Sequence, residues 1–187
     1  DMEGTLAGEP YTGWPLFSAP DAVADGMIYA GFDGAIVANN HILDRGIEGM
    51  DRTIRVLQDA GLDTIGIETE ETPSWILREL NGIQVGFSAW TWETVRQGEN
   101  LEVKGLNGLV MPEAAARRID SFSLQETPDF MSEDVRKVAA RVSEMREAGA
   151  ELTVFLMHWG VEYTTSEDRY APIYTQALAD VGCDIVF

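Results

Sequence analysis

Hydrophobic positions along the chain fall into short runs and helical stripes that predict alternating strands and helices. Ile47, Met50, Ile54 and Leu57 recur at three- and four-residue spacing and are followed by Gly61, the pattern of an amphipathic helix closed by glycine. A second stripe, Val135, Val138, Val142 and Met145, ends at Gly149. Ser132 is placed to cap this helix, with Glu133 and Asp134 in the first turn, where the helix dipole favours acids. Residues 20–30 and 172–181 each open on proline, which suits a first helical turn. Short apolar runs at 32–38, 64–67, 152–157 and 184–187 have strand length, and the third (LTVFLM) predicts burial on both faces. Residues 75–80 and 83–90 flank Asn81-Gly82, the pair that supplies the positive φ angles of a type I′ turn, so a hairpin is expected there.

Two stretches break the pattern. Residues 4–19 carry Gly4, Gly8, Pro10, Gly13 and Pro15, which predict a loop, and residues 91–108 read as irregular and polar. No repeat and no long linker divides the chain, so 1–187 is expected to be a single layered α/β domain.

Composition narrows the function. Hydrophobic residues make up 45% of 187, enough for a packed core, while 32 acids against 13 bases give a net charge of -19. A balance this acidic argues against sequence-independent binding to nucleic acid or to an anionic membrane surface, because both need clustered Lys and Arg. Acid is densest early, with 13 acids and 3 Arg in residues 1–70. No apolar run approaches the roughly 18 residues of a membrane-spanning helix. The one cysteine, Cys183, precedes Ile185, Val186 and Phe187 and reads as a buried, inert thiol.

The two histidines occupy equivalent topological places. His41 follows the strand at 32–38 and His158 the strand at 152–157, and a helix follows each loop. Both therefore sit at carboxyl ends of strands, where α/β sheets place ligands. Around the first, Asn39, Asn40, His41 and Asp44 (ANNHILDRG) bring together amide, imidazole and carboxylate groups suited to metal ligation or proton transfer. The same residues also suit a plain turn, with Asp44 capping the following helix and the asparagines reversing the chain. Around the second (HWGVEY), Trp159 can wall a pocket and Glu162 can orient the imidazole; a histidine satisfied within the fold is the alternative. Glu3, in DMEGTLAG, signals nothing alone.

Taken together and in order, the three segments resemble the "NLEG", "ANNHxxDxG" and "HWGxEY" motifs of the CapA family, the PGA_cap proteins of bacterial poly-γ-glutamate capsule synthesis. The resemblance runs the length of the chain. It implies kinship to the calcineurin-like metallophosphoesterases, hence a layered sandwich of sheets flanked by helices with two divalent ions, Mn, Fe or Zn, at the strand ends. By that resemblance Glu3, Asn40 and His158 are metal ligands. His41 lies outside the metal shell as proton donor or oxyanion stabiliser, paired with Asp44, while Asn39 and Glu162 support the ligands from behind. Family members also carry a "GD" strand before the first motif and a "GxHPH" pair after the last; this chain has neither, so an incomplete domain with ligands missing is expected.

Three functions compete. The resemblance implies a metal-dependent hydrolase at the extracellular face of the bacterial envelope, membrane-anchored in the full protein, acting on an anionic capsule polymer or its precursor. A non-catalytic component of a membrane synthase and export complex is the alternative. In either, a polyanion would need metals or a local patch such as Arg45, Arg117 and Arg118 to invert the field of the -19 chain. The third is an aromatic platform for sugars or peptides built from Trp14, Trp90, Trp92 and Trp159.

Overall fold

In the computed structural model, which describes residues 1–93, 105–123, 128–161, 163–166 and 170–187, helix α1 (Ala22–Tyr29) leads into strand β1 (Gly34–Ile36). Helix α2 (Gly46–Asp59) then crosses to strand β2 (Asp63–Ile65), which pairs with β1 in parallel. Strands β3 (Trp75–Leu80) and β4 (Ile83–Glu93) form the expected hairpin, turning through Asn81 and Gly82 at φ 52° and 84°. After it come β5 (Gly105–Leu106), β6 (Leu109–Val110), α3 (Glu113–Ala116), β7 (Ser121–Ser123) and α4 (Pro128–Glu147). Strand β8 (Leu152–His158), helix α5 (Ala171–Asp180) and strand β9 (Ile185–Val186) complete the order. The larger sheet runs β3-β4-β8-β9, with β7 on the end of β4. Apart from the β3–β4 hairpin, its pairings are parallel. The architecture is mixed α/β, with sheets flanked by helices.

The stripes predicted for α2 and α4 are the buried faces. Met50, Ile54 and Leu57 pack with Leu6, Val37, Ile42 and Leu106 in one core; Val138, Val142 and Met145 pack with Trp90, Phe122, Phe155 and Leu178 in another. Cys183 lies in the second core, where burial pushes its thiol pKa up, as an inert thiol requires.

Several expectations are corrected. The strand expected at 32–38 is three residues long, because Phe32 is exposed and Val37 leaves the ladder, although its N–H still donates to Ile65 O at 3.0 Å. Residues 91–93 are not irregular: they extend β4 and pair with β7. Residues 94–104 lie outside the described residues. Asn107-Gly108 forms a second tight turn, between β5 and β6, with φ 48° and 71°. Strand β8 is fully buried only at Thr153, Val154 and Phe155. Most consequential, α4 begins at Pro128 and not at Ser132, so Asp134 sits in its second turn and faces inward.

Asp134 is 1% exposed and is held by the Tyr174 hydroxyl, which donates to Oδ2 at 3.1 Å. Lys137 Nζ stands 3.8 Å from Oδ1. Burial raises the carboxyl to about 6, and the nearby Glu93 adds to the rise. The same burial pushes the Tyr174 phenol up.

The two sheets meet where side chains are small. Ala38 and Ala89 are both wholly buried between them, and Gly66, at φ 108°, leaves β2 against both. A Cβ on Gly66 would lie 2.4 Å from Ala38 Cβ and 3.0 Å from Ala89 O. From this point the backbone stitches the sheets together: Gly66 N–H donates to Ser74 O, Asp120 N–H to Gly66 O, and Thr91 N–H to Asp120 O.

Two outcomes are expected. Gly66→Ala combines an unfavourable φ with a clash against backbone, and should lower the free energy of unfolding by roughly 2–4 kcal/mol, measured as a fall in the urea midpoint at unchanged slope. For Asp134, a folded pKa near 6 exceeds the unfolded value of about 3.9, so the folded protein binds the proton more tightly. Its contribution to stability therefore declines as pH rises from about 4 to about 6 and stays low above that. Asp134→Asn, which keeps an acceptor for Tyr174, should be more stable than the parent at pH 7 by on the order of 2 kcal/mol, with the gap closing toward pH 4 in urea titrations.

Candidate functional site

The segment leaving β1 folds back on itself. Asn39, wholly buried, accepts the His41 N–H on its Oδ1 at 3.0 Å, an Asx-type turn, and donates from Nδ2 to Met2 O at 2.8 Å and to Asp1 Oδ1 at 3.2 Å. Met2 N–H reaches back to Ile36 O at 3.0 Å. The first residues of the chain are thereby fastened beside the β1 exit.

His41 and Asp44 form a buried pair. His41 Nδ1 lies 2.7 Å from Asp44 Oδ2, and the Asp44 side chain has no exposed surface. Asp44 Oδ2 also accepts the Phe17 N–H at 2.7 Å, and Oδ1 accepts from Asn107 Nδ2 at 2.8 Å. The Phe17 ring covers the imidazole, with centroids 4.5 Å apart. The remaining nitrogen, His41 Nε2, faces Glu3, whose Oε1 is 3.9 Å away, and the Glu3 side chain is half exposed. Asp44 makes no cap to α2, whose N-terminus has no side-chain cap hydrogen bond, so the turn-and-cap interpretation of Asp44 fails.

His158, the last residue of β8, joins this cluster from the larger sheet. Its Nε2 is 2.9 Å from Asn40 Oδ1 and its Nδ1 2.6 Å from Asp1 Oδ2. Asp1 thus bridges Asn39 and His158, and one polar cluster holds Asp1, Glu3, Asn39, Asn40, His41, Asp44 and His158. Glu162 lies outside the described residues. The expectation that both histidines converge with Glu3 and Asn40 is met by the geometry.

Sequence reasoning missed Asp1 and Asn107. The Asn-Gly dipeptide at 107–108 is a turn signal of the same kind as 81–82, passed over when 91–108 is read as irregular, but nothing local announces that the Asn107 amide reaches Asp44.

As a metal centre the cluster is short of donors. Carboxylate, amide oxygen and imidazole are what borderline divalent ions take. Yet both ring nitrogens of His158 face oxygen partners, and among the described residues no group of three or more His, Cys, Asp or Glu is arranged to hold an ion. The residues present do not by themselves build a two-metal site.

The other candidates separate. Arg45 donates to Pro10 O, Arg117 pairs with Glu113, and Arg118 pairs with Asp51 at 2.6 Å, so no patch of the three forms. Arg117 and Arg118 line a groove of about 930 Å³ whose walls also carry Asp51, Glu68, Glu70 and Glu71. The tryptophans do not make one platform: Trp90 and Trp92 are core residues, Trp92 packs edge-on against Trp159 at 5.7 Å, and Trp14 is 82% exposed.

Comparison with known proteins finds relatives of this chain. The chain is 25% identical over 171 residues to the Capsule biosynthesis protein CapA of Bacillus anthracis, covering 90% of this chain and 37% of that protein. It is 24% identical over 152 residues to the PGA biosynthesis protein CapA of Bacillus subtilis (strain 168), covering 80% and 34%. A Probable polyglutamine synthesis accessory protein of Mycobacterium tuberculosis is 29% identical over 153 residues, covering 80% and 37%. The chain spans little more than a third of the length of these relatives. The family described as "Bacterial capsule synthesis protein PGA_cap" matches residues 1–187, and the chain belongs to that family.

Proposed function

We propose that this chain is part of a protein that makes or handles poly-γ-glutamate capsule polymer, and that the His41–Asp44 cluster is a hydrolase site of the metallophosphoesterase type. On this reading the helix-flanked sheets are the metallophosphoesterase-like sandwich. The whole protein works at the extracellular face of the bacterial envelope, anchored in the membrane beside synthase and export subunits, on the anionic polymer or its precursor. The observation that carries the reading is the buried His41–Asp44 pair at 2.7 Å, standing at a strand exit with Nε2 turned toward Glu3 and away from Asp44.

Each residue of the cluster has a task. Asp44 holds the proton on His41 Nδ1 and stabilises the imidazolium that forms when Nε2 accepts a second proton, the arrangement of a general acid and base. Phe17 covers one face of the ring and keeps water from it. Asn39 fixes the loop that presents Asn40 and His41. In the longer protein, Glu3, Asn40 and His158 would hold two divalent ions, Mn, Fe or Zn, together with donors from outside residues 1–187. When bound, such ions supply Lewis acidity and a water of lowered pKa. A cation also answers the electrostatics, since Asp1, Glu3 and Asp44 in a chain of net charge -19 repel an anionic substrate.

One observation favours a second reading. With both nitrogens of His158 engaged by Asp1 and Asn40, the cluster is also a sound structural knot, and the domain would then serve as a non-catalytic assembly or polymer-binding component of the capsule complex.

Two variants of the full-length protein separate these. His41→Ala should keep its metal and lose about 10² to 10⁴ in phosphoester hydrolysis, whereas His158→Ala should lose metal and turnover together, read by elemental analysis and by p-nitrophenyl phosphate hydrolysis. If the metal-loaded parent hydrolyses no generic phosphoester between about pH 5 and about pH 9, the assembly reading takes over.

Ligand count gives a further expectation. The full-length protein should bind close to two divalent ions per chain in equilibrium dialysis, and residues 1–187 alone substantially fewer. Stoichiometric metal on the shorter chain would show that the ligands have been misassigned.

A further inference from the structure

Asn107 lies far along the chain from the motifs, in the two-residue turn between β5 and β6, yet its side chain ends in the middle of the cluster. Its Nδ2 is 2.8 Å from Asp44 Oδ1, 2.9 Å from Pro15 O and 3.1 Å from His41 Nδ1. Two of these neighbours can only accept, which fixes the nitrogen end of the amide toward them: the oxygen in that place would face a carboxylate and a carbonyl. An amide NH₂ has two protons, and these two acceptors use both. None remains for His41 Nδ1, so that nitrogen must be the donor in its own short contact, to Asp44 Oδ2. The accounting leaves His41 with a proton on Nδ1 and its Nε2 on the side of Glu3.

We infer that Asn107 is a positioning residue for the His41–Asp44 pair, clamping the free oxygen of the buried carboxylate so that Asp44 cannot rotate away from the imidazole. The inference rests on the hydrolase reading only in giving His41 a proton to move; the clamp itself is a matter of hydrogen bonding. The same amide ties the loop at Pro15 to the cluster, and two residues on Phe17 supplies both a backbone donor to Asp44 and the ring over His41. A single side chain therefore holds the carboxylate from one side and the cover of the imidazole from another.

The bland role for Asn107 is that of a turn residue, since it sits at φ 48° ahead of Gly108. Asn107→Gly and Asn107→Asp keep that turn chemistry and remove the donor, so they separate the two roles. The full-length protein, free of metal and labelled with ¹⁵N-histidine, is the sample, and His41 signals are assigned by their loss in His41→Gln. The parent should show a slowly exchanging, downfield Nδ1 proton on His41. In both Asn107 variants, with unchanged circular dichroism, that proton should be lost to exchange with water. Once the parent and both variants are reloaded with divalent metal, hydrolysis of p-nitrophenyl phosphate should fall about tenfold in kcat with KM unchanged. A His41 Nδ1 signal identical to the parent in both variants would overturn the inference and leave Asn107 a turn residue. Absence of hydrolysis in the metal-loaded parent would sink the hydrolase reading instead, and the spectrum would still decide the clamp.

Discussion

Asp44 has no side-chain surface left to water, and an ionised carboxylate so placed costs several kcal/mol unless donors surround it. Much of the local structure answers that demand. One oxygen takes the Phe17 N–H and the His41 imidazole, the other the Asn107 amide. These donors come from a glycine- and proline-rich loop, from the exit of β1 and from the β5–β6 turn. A loop outside any helix or strand is thereby given a fixed place over the histidine, and a two-residue turn far along the sequence is drawn to the same point.

A second constraint brings the two halves of the cluster together. His41 belongs to the small sheet and His158 to the large one, so their loops meet only if the sheets approach closely. Gly66, Ala38 and Ala89 make that approach possible, because a larger side chain at any of them would hold the layers apart. The backbone bonds through Gly66, Ser74 and Asp120 then fix the spacing. The site depends on small residues that take no part in its chemistry, and His158 reaches Asn40 as a result.

Charge sets the remaining terms. The cluster gathers three carboxylates and two imidazoles in a strongly acidic chain, an environment that draws cations and discourages anionic ligands. The arginines expected to reverse this locally are engaged elsewhere, by Asp51, by Glu113 and by a backbone carbonyl. Among the described residues, no arginine patch is gathered beside these motifs to meet an anionic ligand.

The local periodicities determined much of the outcome. The apolar stripes of α2 and α4, the hairpin at Asn81-Gly82 and the strand runs were legible because each depends on residues a turn or a pleat apart, and the placement of His41 and His158 at strand exits followed from them. The three short motifs likewise marked the family before any coordinates. What lay beyond the sequence was which distant groups would answer one another. Asp134 read as a first-turn acid and is instead in the second turn, buried against Tyr174, because the helix starts a turn earlier and α5 packs over it. Asp1 carried no signal and Asn107 at most that of a turn, since their partners lie 157 and 63 residues away, at His158 and Asp44. A buried polar atom must be paired, but the chain writes only local spacing; the choice of partner is made when the layers pack and exclude water.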